Sequence, residues 1–195
     1  MKTEIQDRKV LYKGFFTLEE ATLRFEQFDG NMSRPVSRLN VYRGDASAVL
    51  VYHSLHKTIF FVKQFRYPIH TVDPENAWTL EAVAGAIEPG QTPGQCAVRE
   101  TEEETGFLFT EADLHHAGVC WPSPGGTSER IHCYVADAAH TERPGQGGGL
   151  DHDAEDIQVV ELDWDTVEGM VRNGGIYDAK TLICWYWFKN NIMEK

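Results

Sequence analysis

The sequence predicts an α+β fold, a mixed sandwich preceded by a small, separate β-sheet. Three observations support this class. Segments that favour strands come first, followed by one helix, further strands and two final helices, rather than by alternating βαβ units. The chain of 195 residues has room for one well-filled domain with a small appendage. Its composition, 42% hydrophobic and 25% charged, is typical of a folded globular protein.

The N-terminal part of the chain predicts a β-hairpin. Apolar and polar residues alternate on both sides of Asp29-Gly30-Asn31, which is a turn signal. We therefore assign residues 1–45 to a hairpin subdomain and residues 46–195 to the main domain. The hairpin either packs on a small core of its own or forms a dimer contact.

The main domain begins with strands and ends with helices. Residues 47–53 and 58–69 are rich in β-branched and aromatic side chains, and residues 115–123, 130–139 and 157–164 predict further strands. Two helices then follow. The first ends at Gly174 and Gly175, which are stop signals, and the second contains the apolar run CWYWF. Because this run is apolar all round, it predicts a buried helix or a subunit contact.

The helix between the strand groups has both of its ends marked in the sequence. Thr92, Pro93 and Gln95 form a capping-box pattern with proline at the first helical position. Gly106 is suited to the position just after a helix C-terminus. The sequence therefore predicts a helix over residues 93–105.

The end of this helix concentrates negative charge. Glu100, Glu103 and Glu104 are spaced i, i+3 and i+4, so they share one face, while Glu102 points elsewhere. Arg99 offsets only part of their repulsion. Such a face is either solvated or holds a divalent cation such as Mg²⁺ or Mn²⁺, because hard cations bind carboxylate oxygens.

Charge and cysteine content exclude several classes of partner. The net charge of −12 opposes sequence-independent binding to nucleic acid, which needs clustered basic residues. No apolar stretch approaches the roughly 18 residues of a membrane span, and the N-terminus lacks the apolar run of a signal peptide. The four scattered cysteines fit a reducing compartment. We expect a cytoplasmic protein with a small-molecule partner.

Residues 85–107, GAIEPGQTPGQCAVRETEEETGF, resemble the Nudix box, G-x5-E-x7-R-E-U-x-E-E-x-G-U, where U is apolar. The matching positions are Gly85, Arg99, Glu100, Glu103, Glu104, Gly106 and Phe107. Two positions depart: Gln91 replaces the first glutamate, and Thr101 occupies an apolar site. In the family that glutamate supports the box arginine, so we expect Gln91 to hydrogen-bond Arg99 more weakly.

This resemblance implies a Nudix-type α/β/α sandwich with a mixed sheet and a metal-dependent hydrolase of nucleoside diphosphates linked to a further group. It implies Glu100, Glu104, Glu155 and the backbone carbonyl of Ala84 as ligands of Mg²⁺ or Mn²⁺. Glu103 is implied as a further ligand or as a support for catalysis.

Segments outside the box resemble those of bacterial ADP-ribose pyrophosphatases. They are LYKGFFTLE, KQFRYP, LEAVAGAIEPG, SPGGTSER and GGGLDHDAEDIQV. We therefore expect hydrolysis of ADP-ribose to AMP and ribose 5-phosphate. The GDP-mannose hydrolases share several of these segments, so GDP-mannose or another nucleotide sugar is the alternative substrate. The family also implies a homodimer that exchanges its N-terminal hairpins.

A different class, a catalytically weak sensor of nucleotide sugars, is motivated by Gln91 and Asp153. The glycine run before Asp151 predicts a mobile loop that delivers carboxylates. By the resemblance Asp153 stands where the family's general base is a glutamate. Glu129 is a second candidate for the base or a substrate contact.

Three further sites are candidates for substrate contacts. Gly125 and Gly126 form a tight turn after a strand, where the backbone can approach a ligand closely. Arg66, at a strand end, either clamps a phosphate bidentately or is an ordinary surface arginine. Glu81 either accepts a hydrogen bond from the substrate or is solvated.

Overall fold

The computed structural model describes residues 1–149 and 156–194. These residues divide into two compact units. The first comprises Met1–Asp45 and Trp121–Arg130, and the second comprises Ala46–Cys120 and Ile131–Lys195. Residues 121–130 therefore group with the first unit, although the strands on either side of them belong to the second.

The first unit is a three-stranded antiparallel sheet in the order β1-β2-β3. Its strands are β1 (Thr3–Lys13), β2 (Thr17–Phe25) and β3 (Val36–Tyr42). The predicted hairpin is confirmed by the pairing of β2 with β3. Strand β1 was not predicted. The chain after Trp121 joins this unit through Val41, whose N–H donates to the Gly126 carbonyl at 2.9 Å.

The second unit is built on a seven-stranded mixed sheet with the order β10-β5-β4-β9-β8, in which β6 also pairs with β5 and β7 with β4. Strands β4 and β9 run parallel, whereas the other pairs are antiparallel. The strands are β4 (Ala46–His53), β5 (Thr58–Phe65), β6 (Trp78–Glu81), β7 (Val83–Ala86), β8 (Leu114–Cys120), β9 (Ile131–Asp137) and β10 (Gln158–Asp163).

Within the described residues, four α-helices accompany this sheet. They are α1 (Tyr67–His70), α2 (Pro93–Thr105), α3 (Trp164–Arg172) and α4 (Ala179–Phe188). Short 3₁₀ turns cover Pro74–Asn76 and Glu111–Asp113, and a π-helical turn, Lys189–Met193, follows α4. No helix in the described part of the chain is long and apolar enough to cross a membrane.

Strand β4, at the centre of the sheet, is buried on both faces: its successive side chains point to opposite sides, and those from Ala46 to Tyr52 are all buried. Leu50 of β4 belongs to the core cluster that contains Val167 of α3 and Trp185 of α4. Its neighbour Val51 belongs to the other cluster, with Ala97 of α2. One helical layer therefore covers each face, which confirms the predicted α/β/α sandwich with a mixed sheet.

One strand of the sheet is shorter than predicted, and a segment without a prediction forms two further strands. The strand expected over residues 58–69 ends at Phe65, and Tyr67–His70 forms helix α1. Pro68 favours this helix start, because its φ is fixed and it lacks an N–H. The segment that precedes α2 forms two short strands, β6 and β7, which are separated at Ala82, whose N–H donates to Thr181 Oγ1 at 2.7 Å.

Candidate active site

Helix α2 has the predicted ends. The Gln95 N–H donates to Thr92 Oγ1 at 3.1 Å, and the Thr92 N–H donates to Gln95 Oε1 at 3.0 Å, which completes the capping box. Gly106 follows the helix with a φ of 79°, in the left-handed region that favours glycine. These local contacts fix the helix that carries the acidic face.

Two glutamates of α2 lie against strand β7. The Glu104 side chain is buried, and its Oε2 accepts a hydrogen bond from the Ala84 N–H at 3.3 Å. The Glu100 carboxylate fills the space above Gly85, where an added Cβ would lie 1.8 Å from Glu100 Oε1. Glycine at position 85 therefore makes room for this carboxylate. This packing places Glu100 and Glu104, two of the predicted ligands, against the β7 residues Ala84 and Gly85.

Arg99 neutralises part of the acidic face. Its Nη2 lies 2.7 Å from Glu100 Oε1, and its Nη1 lies 2.8 Å from Glu103 Oε2. Burial lowers the pKa of Arg99, but the charges of the two glutamates outweigh burial and raise it. Glu103 is thus an ion-pair partner of the box arginine.

The prediction that Gln91 hydrogen-bonds Arg99 is wrong. Gln91 Oε1 instead accepts from the Glu88 N–H at 3.2 Å. Arg99 Nε is buried and has no hydrogen-bond partner among the described residues. Gln91 therefore does not supply a partner for this donor of the box arginine within residues 1–149 and 156–194.

Thr101, the second departure from the box, is accommodated without such a loss. Its side chain is fully buried, and its hydroxyl donates to the Ala97 carbonyl at 2.7 Å. This bond within the helix satisfies a polar group at a site where the box has an apolar residue.

An ion-pair network around the buried Glu81 carboxylate joins the last residue of β6 to Arg66, which directly follows β5. Arg66 Nε and Nη2 donate to Glu81 Oε1 and Oε2, each at 2.8 Å, in a bidentate pair. Lys180 and the Thr79 hydroxyl also contact the Glu81 carboxylate. Burial raises the pKa of Glu81, but Arg66 and Lys180 outweigh burial and lower it to about 2. Both Glu81 oxygens are thus occupied by partners within the protein.

Arg66 also lies within electrostatic range of the acidic helix. Burial lowers the pKa of Arg66, but the hydrogen bond and charge of Glu81 outweigh burial and raise it, and Glu104 adds to this effect. The network that holds Arg66 therefore adjoins the carboxylate face of α2. Lys180, which completes this network, has no local signal in the sequence, since it lies 99 positions from Glu81.

Glu129, Gly125 and Gly126 belong to the first unit. Glu129 Oε1 lies 3.2 Å from Arg43 Nε, and the Glu129 N–H donates to Thr127 Oγ1 at 3.1 Å. A Cβ added at Gly125 or Gly126 would meet nothing within 4 Å. The fold itself therefore leaves space for a side chain at both glycines.

The predicted loop carboxylates Asp153 and Glu155 lie outside the described residues. Within residues 1–149 and 156–194, no three His, Cys, Asp or Glu side chains form a ready-made metal cluster. Glu100 and Glu103 are instead paired with Arg99. Their carboxylate oxygens, and those of Glu104, are the donor type that a hard divalent cation takes.

Comparison with known proteins identifies the family. The NUDIX domain matches residues 42–186, which is more than half of the chain. The chain belongs to the Nudix family. The predicted membership of this hydrolase family is thereby confirmed.

Two curated relatives cover nearly the whole chain. The ADP-ribose pyrophosphatase of Haemophilus influenzae is 33% identical over 193 residues, which cover 98% of this chain and 88% of the relative. The GDP-mannose pyrophosphatase of Salmonella arizonae is 34% identical over 182 residues, which cover 93% of this chain and 91% of the relative. Both predicted branches of resemblance are therefore confirmed at similar identity.

A solved structure supports the fold. A crystal structure of an ADP compounds hydrolase superposes with a TM-score of 0.73 at 18% identity, covering 100% of this chain and 96% of the other. At this identity the similarity establishes the fold alone.

Proposed function

We propose that this Nudix hydrolase cleaves ADP-ribose to AMP and ribose 5-phosphate in a reaction that depends on a divalent metal. The observation that carries the proposal is the packing of Glu100 and Glu104 against β7, next to the network that holds Arg66. Carboxylates that can hold a divalent cation, together with an arginine, suit a diphosphate, because its negative charge needs positive partners. We place ADP-ribose first among the candidate substrates because the relative from Haemophilus influenzae, which covers 98% of this chain, is an ADP-ribose pyrophosphatase.

The residues that would hold Mg²⁺ or Mn²⁺ are Glu100, Glu104, Glu155 and the Ala84 carbonyl, with Glu103 as a further ligand or support. Nudix hydrolases generally need divalent ions, and carboxylate oxygens are preferred by hard cations. When bound, these ions would neutralise the diphosphate and lower the pKa of an attacking water.

Arg66 binds a substrate phosphate in this proposal. Its contact with Glu81 is bidentate, and its side chain is 38% exposed, so one face is open to a ligand. Lys180 remains on Glu81 when Arg66 turns toward a phosphate, so that the buried carboxylate stays compensated. Glu81 thus orients Arg66 and accepts a substrate hydrogen bond only after Arg66 moves.

A loop carboxylate takes the proton of the attacking water. We favour Asp153 over Glu129, because Glu129 already has Arg43 as its partner at 3.2 Å.

Gly125 and Gly126 contact the substrate through their backbone in this proposal, since the fold gives no steric reason for glycine at either position.

GDP-mannose is the second candidate substrate, because the Salmonella arizonae relative is as similar as the ADP-ribose pyrophosphatase. A nucleotide-sugar sensor with weak turnover is the third reading. It rests on Gln91 and on the unpaired Nε of Arg99 in the described structure.

We further propose a cytoplasmic homodimer formed through the first unit. Large apolar side chains are exposed along its strands and turns, including Ile5, Val10, Tyr12, Phe28 and Leu39. A second copy would cover such a sheet. Cys96, Cys133 and Cys184 are buried free thiols, which fits a reducing compartment.

The test is product formation from ADP-ribose and GDP-mannose in parallel, with Mg²⁺ and with a chelator, followed by chromatography of AMP and GMP. We expect AMP release that requires the metal and exceeds GMP release. Faster GMP release would make GDP-mannose the substrate. Ligand binding without turnover of either sugar would overturn the hydrolase proposal in favour of the sensor.

A further inference from the structure

The last turn of α2 is closed by a distant segment of the chain, residues 142–149, which we call the strap. Carbonyls at a helix C-terminus lack donors within the helix. Here the Gly149 N–H donates to the Glu103 carbonyl at 3.2 Å, and the Gly148 N–H donates to the Glu104 carbonyl at 3.0 Å. Arg143 Nε donates to the Thr105 carbonyl at 2.9 Å. Three successive carbonyls are thus satisfied by the strap.

The strap and the helix meet backbone to backbone. Gly147 has a φ of 72°, and a Cβ on it would lie 2.1 Å from the Glu104 carbonyl oxygen. A Cβ on Gly106 would lie 2.3 Å from the Gly145 carbonyl oxygen. Side chains at these positions would push the strap from the helix. The glycine run up to Gly149 thus serves as a close-fitting cap on the helix, while its mobility remains a prediction.

Arg143 fixes the strap at this place. Its guanidinium carbon lies 4.9 Å from the Phe107 ring centre and 5.5 Å from the Phe60 ring centre. Its Nη2 donates to the Gln146 carbonyl at 3.4 Å within the strap. The side chain therefore brings a positive charge to the negative end of α2, where it also contacts two aromatic rings.

We propose that Arg143 is a positioning residue for the carboxylates of Glu103 and Glu104. This inference rests on the proposed metal-dependent function. Both residues carry negative charge into the last turn, where repulsion and the helix dipole favour fraying. The strap binds their carbonyls, and Arg143 holds the strap. Without the guanidinium, the last turn loosens and its carboxylates no longer meet a metal in a fixed geometry.

The test compares Arg143→Ala and Arg143→Lys with the native chain for Mn²⁺ affinity, measured by electron paramagnetic resonance, and for turnover of ADP-ribose. We expect Arg143→Ala to bind Mn²⁺ about 10-fold more weakly, as is usual when the support of a metal ligand is lost. Arg143→Lys keeps the charge but loses the fork of donors, so its affinity falls between the two. Low concentrations of guanidinium chloride should restore both affinity and turnover in Arg143→Ala.

Two matched variants separate positioning from stability. Arg172→Ala removes an arginine whose partner is Glu168 on α3, and Asp163→Ala removes the N-cap of that helix. We expect native Mn²⁺ affinity in both variants, with no response to guanidinium. Native Mn²⁺ affinity in Arg143→Ala, or a loss that guanidinium does not restore, would overturn the inference. Turnover by the native chain would still support the proposed function in that case. Absence of Mn²⁺ binding and turnover in the native chain would overturn the proposed function as well.

Discussion

Replacement of Glu81 by glutamine is expected to destabilise the protein in a pH-dependent way. The pKa of Glu81 is lowered from 4.5 to about 2, and its side chain is only 4% exposed. Since one pKa unit corresponds to about 1.4 kcal/mol, ionised Glu81 stabilises the native state by about 3 kcal/mol at pH 7. Because the pKa is lower in the folded state, this stability is present above pH 4.5 and is lost as the pH falls toward 2.

Urea unfolding of the native chain and of Glu81→Gln at several pH values measures the contribution of ionised Glu81 to the free energy of unfolding. We expect the difference in unfolding free energy to fall from about 3 kcal/mol at pH 7 to less than half of that near pH 3. Glu75→Gln is the matched control, because Glu75 is exposed and lies close by in the sequence. A difference that is the same at pH 7 and pH 3, or no difference at all, would show that the Glu81 charge does not stabilise the native state.

Two other substitutions test the Gln91 departure from the Nudix box and the turn that contains Gly126. Gln91→Glu should raise the unfolding free energy by about 1 kcal/mol, because a carboxylate can pair with the buried Arg99 Nε. Thermal denaturation checks this against Gln6→Glu, an exposed control, and an unchanged midpoint would contradict it. Gly126→Ala should change the unfolding free energy by less than about 0.5 kcal/mol, since a Cβ there meets nothing within 4 Å. Its KM for ADP-ribose should nevertheless rise, and an unchanged KM would remove Gly126 from the site.

Features with local causes could be predicted from the sequence. The ends of α2 depend on Thr92, Gln95 and Gly106, all within or next to the helix, and each behaves as expected. The central strands of the second unit are rich in β-branched and aromatic residues, which predicted a sheet. The Nudix family was recognisable because the spacing of the box is itself local.

Features that depend on distant contacts were missed. Strand β1 is exposed throughout and rich in charge, so its pairing with β2 has no hydrophobic pattern to indicate it. The contact of Lys180 with Glu81 joins residues 99 positions apart, and Arg143 reaches Thr105 across 38 positions. Gln91 was assigned to Arg99 by analogy with the box glutamate, whereas the nearby Glu88 N–H became its donor.

The most direct measurement of the central claim is the turnover of ADP-ribose with Mg²⁺ by Glu104→Gln and Glu102→Gln. Glu104 is buried against β7, whereas Glu102, on the same helix, is exposed. We expect kcat to fall by at least about 100-fold in Glu104→Gln and to stay native in Glu102→Gln. Equal turnover in the two variants would contradict the claim that the buried carboxylate face of α2 is the catalytic platform.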